Sequence, residues 1–268
     1  DRPGSVCYVT GAPALATANA TPNIAAIITT AELSAGVAPD KGCVVAEWPQ
    51  RSFYELHNAL CLAGESPLRQ ESFIHPFASI DATASLGRHV LIGSGVRIGP
   101  HAVIEDYSEI GEGTWIGPHA VIGGRGLQDT IVNGSNVIVE CAGGVRIGQR
   151  CEILSGALVQ RPYLSAYTEI GDDSKLGPGA SVGHGCQVGR AAIIGARAVV
   201  AGNCRVGDRV WIGAAAVLSD ALTIGEEARV QLGSVVVRNV KSGEVVSGNF
   251  ALPHAKHLRF HTRQRHEQ

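Results

Sequence analysis

His184, Gly202 and Asp220 follow one another at eighteen-residue steps, each two places after an aliphatic residue (Val182, Val200 and Leu218). An imidazole with an ordinary pKa of about 6.5 takes up a proton near neutral pH. A glycine N–H can donate to a developing oxyanion, and the missing side chain lets a ligand come close. A carboxylate can orient an imidazole or bind a sugar. The spacing places a titratable imidazole one rung from a glycine backbone and two rungs from a carboxylate, an arrangement that could serve general acid–base chemistry. The plainer alternatives are an exposed histidine and a solvated corner aspartate, the latter two rungs, or about 9.6 Å, from His184.

These residues can meet only if the chain is built from repeats. Aliphatic residues recur every six positions from Ile170 through Leu176, Val182, Val188, Ile194, Val200, Val206, Ile212, Leu218, Ile224 and Val230 to Val236. Gly usually follows them, and a mostly small residue stands four places on, as in Ala180, Cys186, Ala198, Cys204 and Ala216. This period is neither helical nor a simple strand alternation. It predicts a parallel β-helix with the aliphatic and small residues facing inward and Gly easing the corners. Three hexads close a coil of roughly eighteen residues, so residues that far apart stack about 4.8 Å apart.

An earlier array runs from Ile74 to Ile122 in the same register. It breaks at Gly123–Asp129, resumes at Ile147 and Ile153, and breaks again around Gln160–Tyr163. Segments expelled from a regular coil are where binding residues concentrate. Arg125 and Arg161 are therefore candidates for pairing an anionic substrate, against the alternative of solvated loop arginines. Residues 1–66 alternate strand and helix patterns and predict a small α/β domain, with Pro49 opening a helix to Leu62. That domain lacks the glycine signatures that cradle phosphates. The predicted organisation is the small domain at 1–66, the coil at 73–240 and a tail at 241–268. The tail is basic (His254, Lys256, His257, Arg259, His261, Arg263, Arg265, His266) and is expected to cap the last coil and to meet an acidic partner.

Composition narrows the function. The chain has 268 residues, 45% of them hydrophobic, 34 glycines and a net charge of −2, which gives no general argument for nucleic acid. Seven cysteines without a Cys-x-x-Cys pair predict reduced thiols and a cytoplasmic protein. Cys186 and Cys204 fall in the inward small slot and are expected to be packing residues. No apolar run reaches the ~18 residues of a membrane span. The chain starts at Asp1 without any Met, so residues are expected to precede it.

The hexads, the Val182–Gly189 block, Ile74-His75-Pro76, Ser155-Gly156-Ala157-Leu158 and the small leading domain together resemble the UDP-3-O-acylglucosamine N-acyltransferases of lipid A biosynthesis and their relatives. The resemblance covers nearly the whole chain. It implies a left-handed β-helix, a homotrimer with active sites between subunits, and no permanently bound cofactor or metal. It implies acyl carrier protein or coenzyme A as the thioester donor and the amine of a nucleotide-linked amino sugar as acceptor. His184 then matches the catalytic base, Gly202 the oxyanion glycine, and Tyr8 one of two aromatics that stack on the nucleotide base. Departures point to a paralogue with another sugar and acyl group. Gly177-Pro178 replaces an Asp-Asn pair that would orient the base, Ala221 replaces a histidine, Gly11 an asparagine and Ala14 a tyrosine. Without that orienting carboxylate, the pKa of His184 is expected near that of a free histidine. Other readings are a zinc hydratase of the carbonic anhydrase type using His101 and His119, which share a slot with His89, and a non-catalytic trimeric scaffold.

Overall fold

The computed structural model describes residues 3–65, 68, 70–126, 131–132, 134–164, 166–248 and 256. The chain divides into two compact units, formed by the described residues of 1–67 with 127–142, and of 68–126 with 143–268.

The first unit holds a parallel three-stranded sheet in the order β1 (Ser5–Tyr8), β2 (Ile24–Thr29), β3 (Gly42–Val45). Helices α1 (Ala12–Ala20), α2 (Ala31–Ser34) and α3 (Pro49–Leu62) follow the strands in turn. The apolar run of β2 suits the central position, where Ile27 and Ile28 are buried; β3, at the edge, is exposed throughout. The small-domain expectation differs in one respect: residues 131–142, which leave the coil, cluster with it. Asn58 holds this segment with both ends of its amide. Its Nδ2 donates to the Ile138 carbonyl at 2.7 Å, and its Oδ1 accepts the Glu140 N–H at 2.8 Å.

The second unit is a left-handed parallel β-helix. Its three sheets have eight, nine and eight strands, most of them only two residues long. The expected eighteen-residue stacking is present: Val182 pairs with Val200, and Val200 with Leu218. Inward aliphatics and the small slot residues Ala180, Cys186, Ala198, Cys204 and Ala216 are fully or almost fully buried in one continuous core. The two irregular stretches are true insertions. Ile122 pairs with Val159 and Ile147 with Ile170, lengthening the step to 37 and then 23 residues.

Two expectations need revision. The repeat does not end at Val236, because Val240 bridges to Ile224 and Val245–Val246 pairs with Arg229–Val230. Uneven spacing hid this last turn. Secondly, the glycines that follow the inward aliphatics do not supply positive φ, apart from Gly123 at the first break in register. At Gly183 a Cβ would lie 2.6 Å from the Gly202 N, so glycine there answers to close stacking of coils. Positive φ falls two places later, at Gly185 (69°) and also at non-glycine residues such as Asn203 (59°). The basic tail, apart from Lys256, lies outside the described residues.

Because the prism interior is closed by stacked side chains, truncating one should leave a cavity. Ile194→Ala, at a fully buried position, should lower stability by about 2–5 kcal/mol, read as a lower midpoint in denaturant unfolding.

Candidate active site

His184 and Gly202 occupy equivalent corners of consecutive coils, and the imidazole lies directly over the glycine. A Cβ added to Gly202 would be 2.7 Å from both Cε1 and Nε2 of His184. The corner is fixed by backbone bonds: the Asn203 N–H donates to the His184 carbonyl at 2.7 Å, and the Ala221 N–H to the Gly202 carbonyl at 2.9 Å. On the other side of His184, the Gly185 N–H donates to the buried Thr168 hydroxyl at 2.8 Å. That hydroxyl donates to the Gln160 carbonyl at 2.6 Å. This relay ties the turn after His184 to the strand Leu158–Arg161, where the coil opens into its second insertion.

The Gly202 N–H faces outward for a reason. The Cys186 thiol donates to the Ala201 carbonyl at 3.0 Å from inside the prism. In a trans peptide the N–H points opposite to the C=O, so the Gly202 N–H is turned away from the core. It has no acceptor among the described residues. The Cys204 sulfur, and then burial, push the Cys186 thiol up, so it stays protonated and serves this packing role.

The insertions complete the surroundings. Tyr163 lies against the imidazole with ring centroids 5.3 Å apart, tilted by 59°. Gly126 comes so close that a Cβ there would meet His184 Cδ2 at 3.4 Å. Arg125 and Arg161 are in-register neighbours on adjacent strands, and the Arg161 Nε is buried with no hydrogen-bond partner among the described residues. Beside His184 an open groove of about 470 Å³ is lined by Tyr163, Tyr167, Gln187, Asn203 and Arg205 among others. Arg146 covers the Tyr167 ring at 4.2 Å.

Burial holds the His184 pKa below the ordinary histidine value, and the charge of Asp220 works in the opposite sense with less effect. This differs from the free-histidine expectation, because Tyr163 and the returning insertion remove water that sequence spacing does not reveal. No carboxylate hydrogen-bonds the imidazole among the described residues. Asp220 is exposed one coil beyond Gly202 and accepts the Ser219 hydroxyl at 3.2 Å.

The structure thus brings His184, Gly202, Arg125 and Arg161 to one region of the coil. Tyr8 belongs to the other unit, in an aromatic cluster with Phe53 at 5.4 Å and Tyr54 at 6.1 Å. Tyr163, Gly126, Asn203 and Arg205 were not singled out from the sequence. Arg205 had a signal, since it stands eighteen residues after Gln187 in an outward slot. Tyr163 and Gly126 had none beyond lying where the register breaks. His101 and His119 stack at 5.1 Å. Among the described residues no group of three or more His, Cys, Asp or Glu could hold a metal ion.

The profile of the bacterial transferase hexapeptide family (six repeats) matches residues 167–202, the stretch that carries both corner residues. Among solved structures, LpxA from Acinetobacter baumannii is similar over 71% of this chain and 76% of its own, at 24% identity and TM-score 0.53. The UDP-N-acetylglucosamine acyltransferase of Francisella novicida is similar over 72% of each chain, at 18% identity and TM-score 0.54. At these identities the likeness is one of fold. A perosamine N-acetyltransferase from Caulobacter crescentus, solved with CoA and GDP-perosamine, aligns over 91% of this chain and 93% of its own at 21% identity, but its TM-score is 0.24. No curated protein matches the chain by sequence.

The imidazole environment makes a direct prediction. The His184 ring should titrate below pH 6.5, and Asp220→Ala should lower the value further, since the carboxylate favours the charged ring. Ring resonances followed by NMR across pH 4–8 check both; a wild-type value at or above the ordinary one would contradict the burial account.

Proposed function

We propose that the protein transfers an acyl group from a thioester to the amine of a nucleotide-linked amino sugar. One observation carries this reading: an imidazole of lowered pKa lies over a corner whose outward N–H has no acceptor among the described residues. A base and an oxyanion donor are then adjacent and need no rearrangement. The transferase hexapeptide match supports it. The nucleotide-sugar class follows the fold neighbours, which are named as UDP-N-acetylglucosamine acyltransferases.

In the reaction the amine attacks the thioester carbonyl while His184 takes its proton. The carbonyl oxygen gains charge and is met by the Gly202 N–H. Collapse of the tetrahedral intermediate forms the C–N bond and breaks C–S, and the proton held by His184 passes to the departing thiolate. The lowered pKa keeps the imidazole neutral at physiological pH, the form that can accept a proton. Asp220 offsets part of the charge of the imidazolium. Arg125, Arg161 and Arg205 suit the phosphates of the substrate or of a CoA donor, and Tyr8 suits stacking on the nucleotide base. A diffusible thioester donor, either acyl-CoA or acyl carrier protein, fits a cytoplasmic enzyme; no helix among the described residues is long and apolar enough to cross a membrane.

A homotrimer completes the reading. The sheet whose strands end on Val182, Val200, Leu218 and Val236 turns an apolar stripe outward. Val199 is 38% exposed, Val217 41% and Val235 60%, and Val103, Val121 and Leu158 precede them on the same face. Ser181 interrupts the stripe between Leu158 and Val199; an exposed apolar stripe of this kind marks an association surface, and it borders the His184 corner. Val217→Asp should therefore convert a trimer to monomers in light scattering at micromolar concentration. A monomeric wild type would end the trimer proposal.

The enzymatic test is thioester consumption with amino-sugar nucleotides, run beside acceptors that offer only hydroxyls. His184→Ala should lower kcat by about 10²–10⁴ with little change in melting temperature, since the ring lies outside the core. Wild-type rate should rise with pH through an apparent pKa below 6.5. Turnover with hydroxyl acceptors alone would move the reading to O-acyl transfer, and an unchanged kcat in the alanine variant would remove His184 from it.

A further inference from the structure

The corner amide that Gly202 presents is capped in three other coils, those in which a glycine precedes the corner and the next coil offers an aspartate. Arg88, Gln149 and Arg190 occupy the same corner slot as Gly202. Each of their N–H groups donates to an aspartate from the same slot of the next coil: Asp106 at 2.7 Å, Asp172 at 2.9 Å and Asp208 at 2.8 Å. Gly202 also has an aspartate in that slot of the next coil, Asp220, yet Asp220 takes the Ser219 hydroxyl instead.

The residue before each corner explains the difference. At the capped corners it is Gly87, Gly148 or Gly189. A Cβ at these positions would lie 2.5 Å from Asp106 Oδ1, 2.4 Å from Asp172 Oδ1 and 2.4 Å from Asp208 Oδ1. The carboxylate sits where a side chain would be. At the Gly202 corner the preceding residue is Ala201, whose methyl group occupies that seat.

We infer that Ala201 is a positioning residue that keeps the oxyanion seat open by denying it to Asp220. This rests on the acyl-transfer reading, in which the Gly202 N–H must be free for the substrate oxygen. A carboxylate on that N–H would fill the seat and repel the charge that develops there. Excluded from the seat, Asp220 remains exposed, with its charge acting on His184. One methyl group thus separates a self-capped structural corner from an open one.

The test is Ala201→Gly, a residue that most other corners carry, so the coil should fold. Its crystal structure should show an Asp220 oxygen within hydrogen-bond distance of the Gly202 N. Its kcat should fall by about 10²–10³ if the seat is fully occupied. In an Asp220→Ala background the same substitution should change kcat less than about twofold, because no carboxylate remains to fill the seat. An equal fall in both backgrounds would mean general disturbance of the corner and would overturn the inference, as would an Asp220 that stays off the amide. A capped amide with unchanged kcat would instead show that Gly202 N–H is not the oxyanion donor. That outcome removes Gly202 from the proposed chemistry, and the inference with it, while leaving the His184 test untouched.

Discussion

Every coil rests on the next through parallel backbone hydrogen bonds, and the rest of the unit depends on the register they impose. The step is short, about 4.8 Å, so a side chain at a corner meets its counterpart in the next coil before it meets anything else. This is why a histidine can lie on a glycine eighteen residues away, and why glycine recurs where one coil crosses another. Val182, Val200 and Leu218 are inward anchors of this register, and His184, Gly202 and Asp220 follow from them.

A perfectly regular prism would offer flat faces and little concavity. The two insertions provide relief. They leave the coil after Arg125 and Arg161, the ends of the adjacent strands Val121–Arg125 and Leu158–Arg161 on the sheet that also holds Val182 and Val200. Gly126, at the first exit, and Tyr163, in the second insertion, lie against the imidazole. The core is not disturbed, because the aliphatics on either side keep their pairing, Ile122 with Val159 and Val159 with Val182. The unit thus separates stability, carried by stacked aliphatics, from the site, carried by what the stack expels.

Electrostatics at the corner follow from the same arrangement. Removing water from the imidazole disfavours its charged form, and the carboxylate that could reverse this is held off by its place on the outer surface. The Gly202 peptide is set by two opposed demands. Its carbonyl side faces a protonated thiol in the core, and its N–H side is left outward. A buried, protonated cysteine thereby orients a group at the surface.

Much of this was legible in the sequence because a six-residue period is a direct image of the coil. The period predicts the parallel β-helix, the inward residues, the burial of Cys186 and Cys204, and the stacking of His184 on Gly202, since each follows from counting along one chain. The alternation of strand and helix patterns likewise marks the small domain, down to Pro49–Leu62. Counting fails where the register does. The approach of Gly126 and Tyr163 to His184, the in-register pairing of Arg125 with Arg161, and the last turn at Val245–Val246 depend on where irregular segments return. No local pattern encodes that return. The departure of the His184 pKa from an ordinary value needs the same segments, because it measures excluded water. So does the role of Ala201, whose methyl group matters only through the distance between two particular coils. Periodicity therefore determined the scaffold and the alignment of the reacting corner. Tertiary structure decided its solvent exposure and which neighbouring groups are kept away, because both depend on contacts between segments with no shared period.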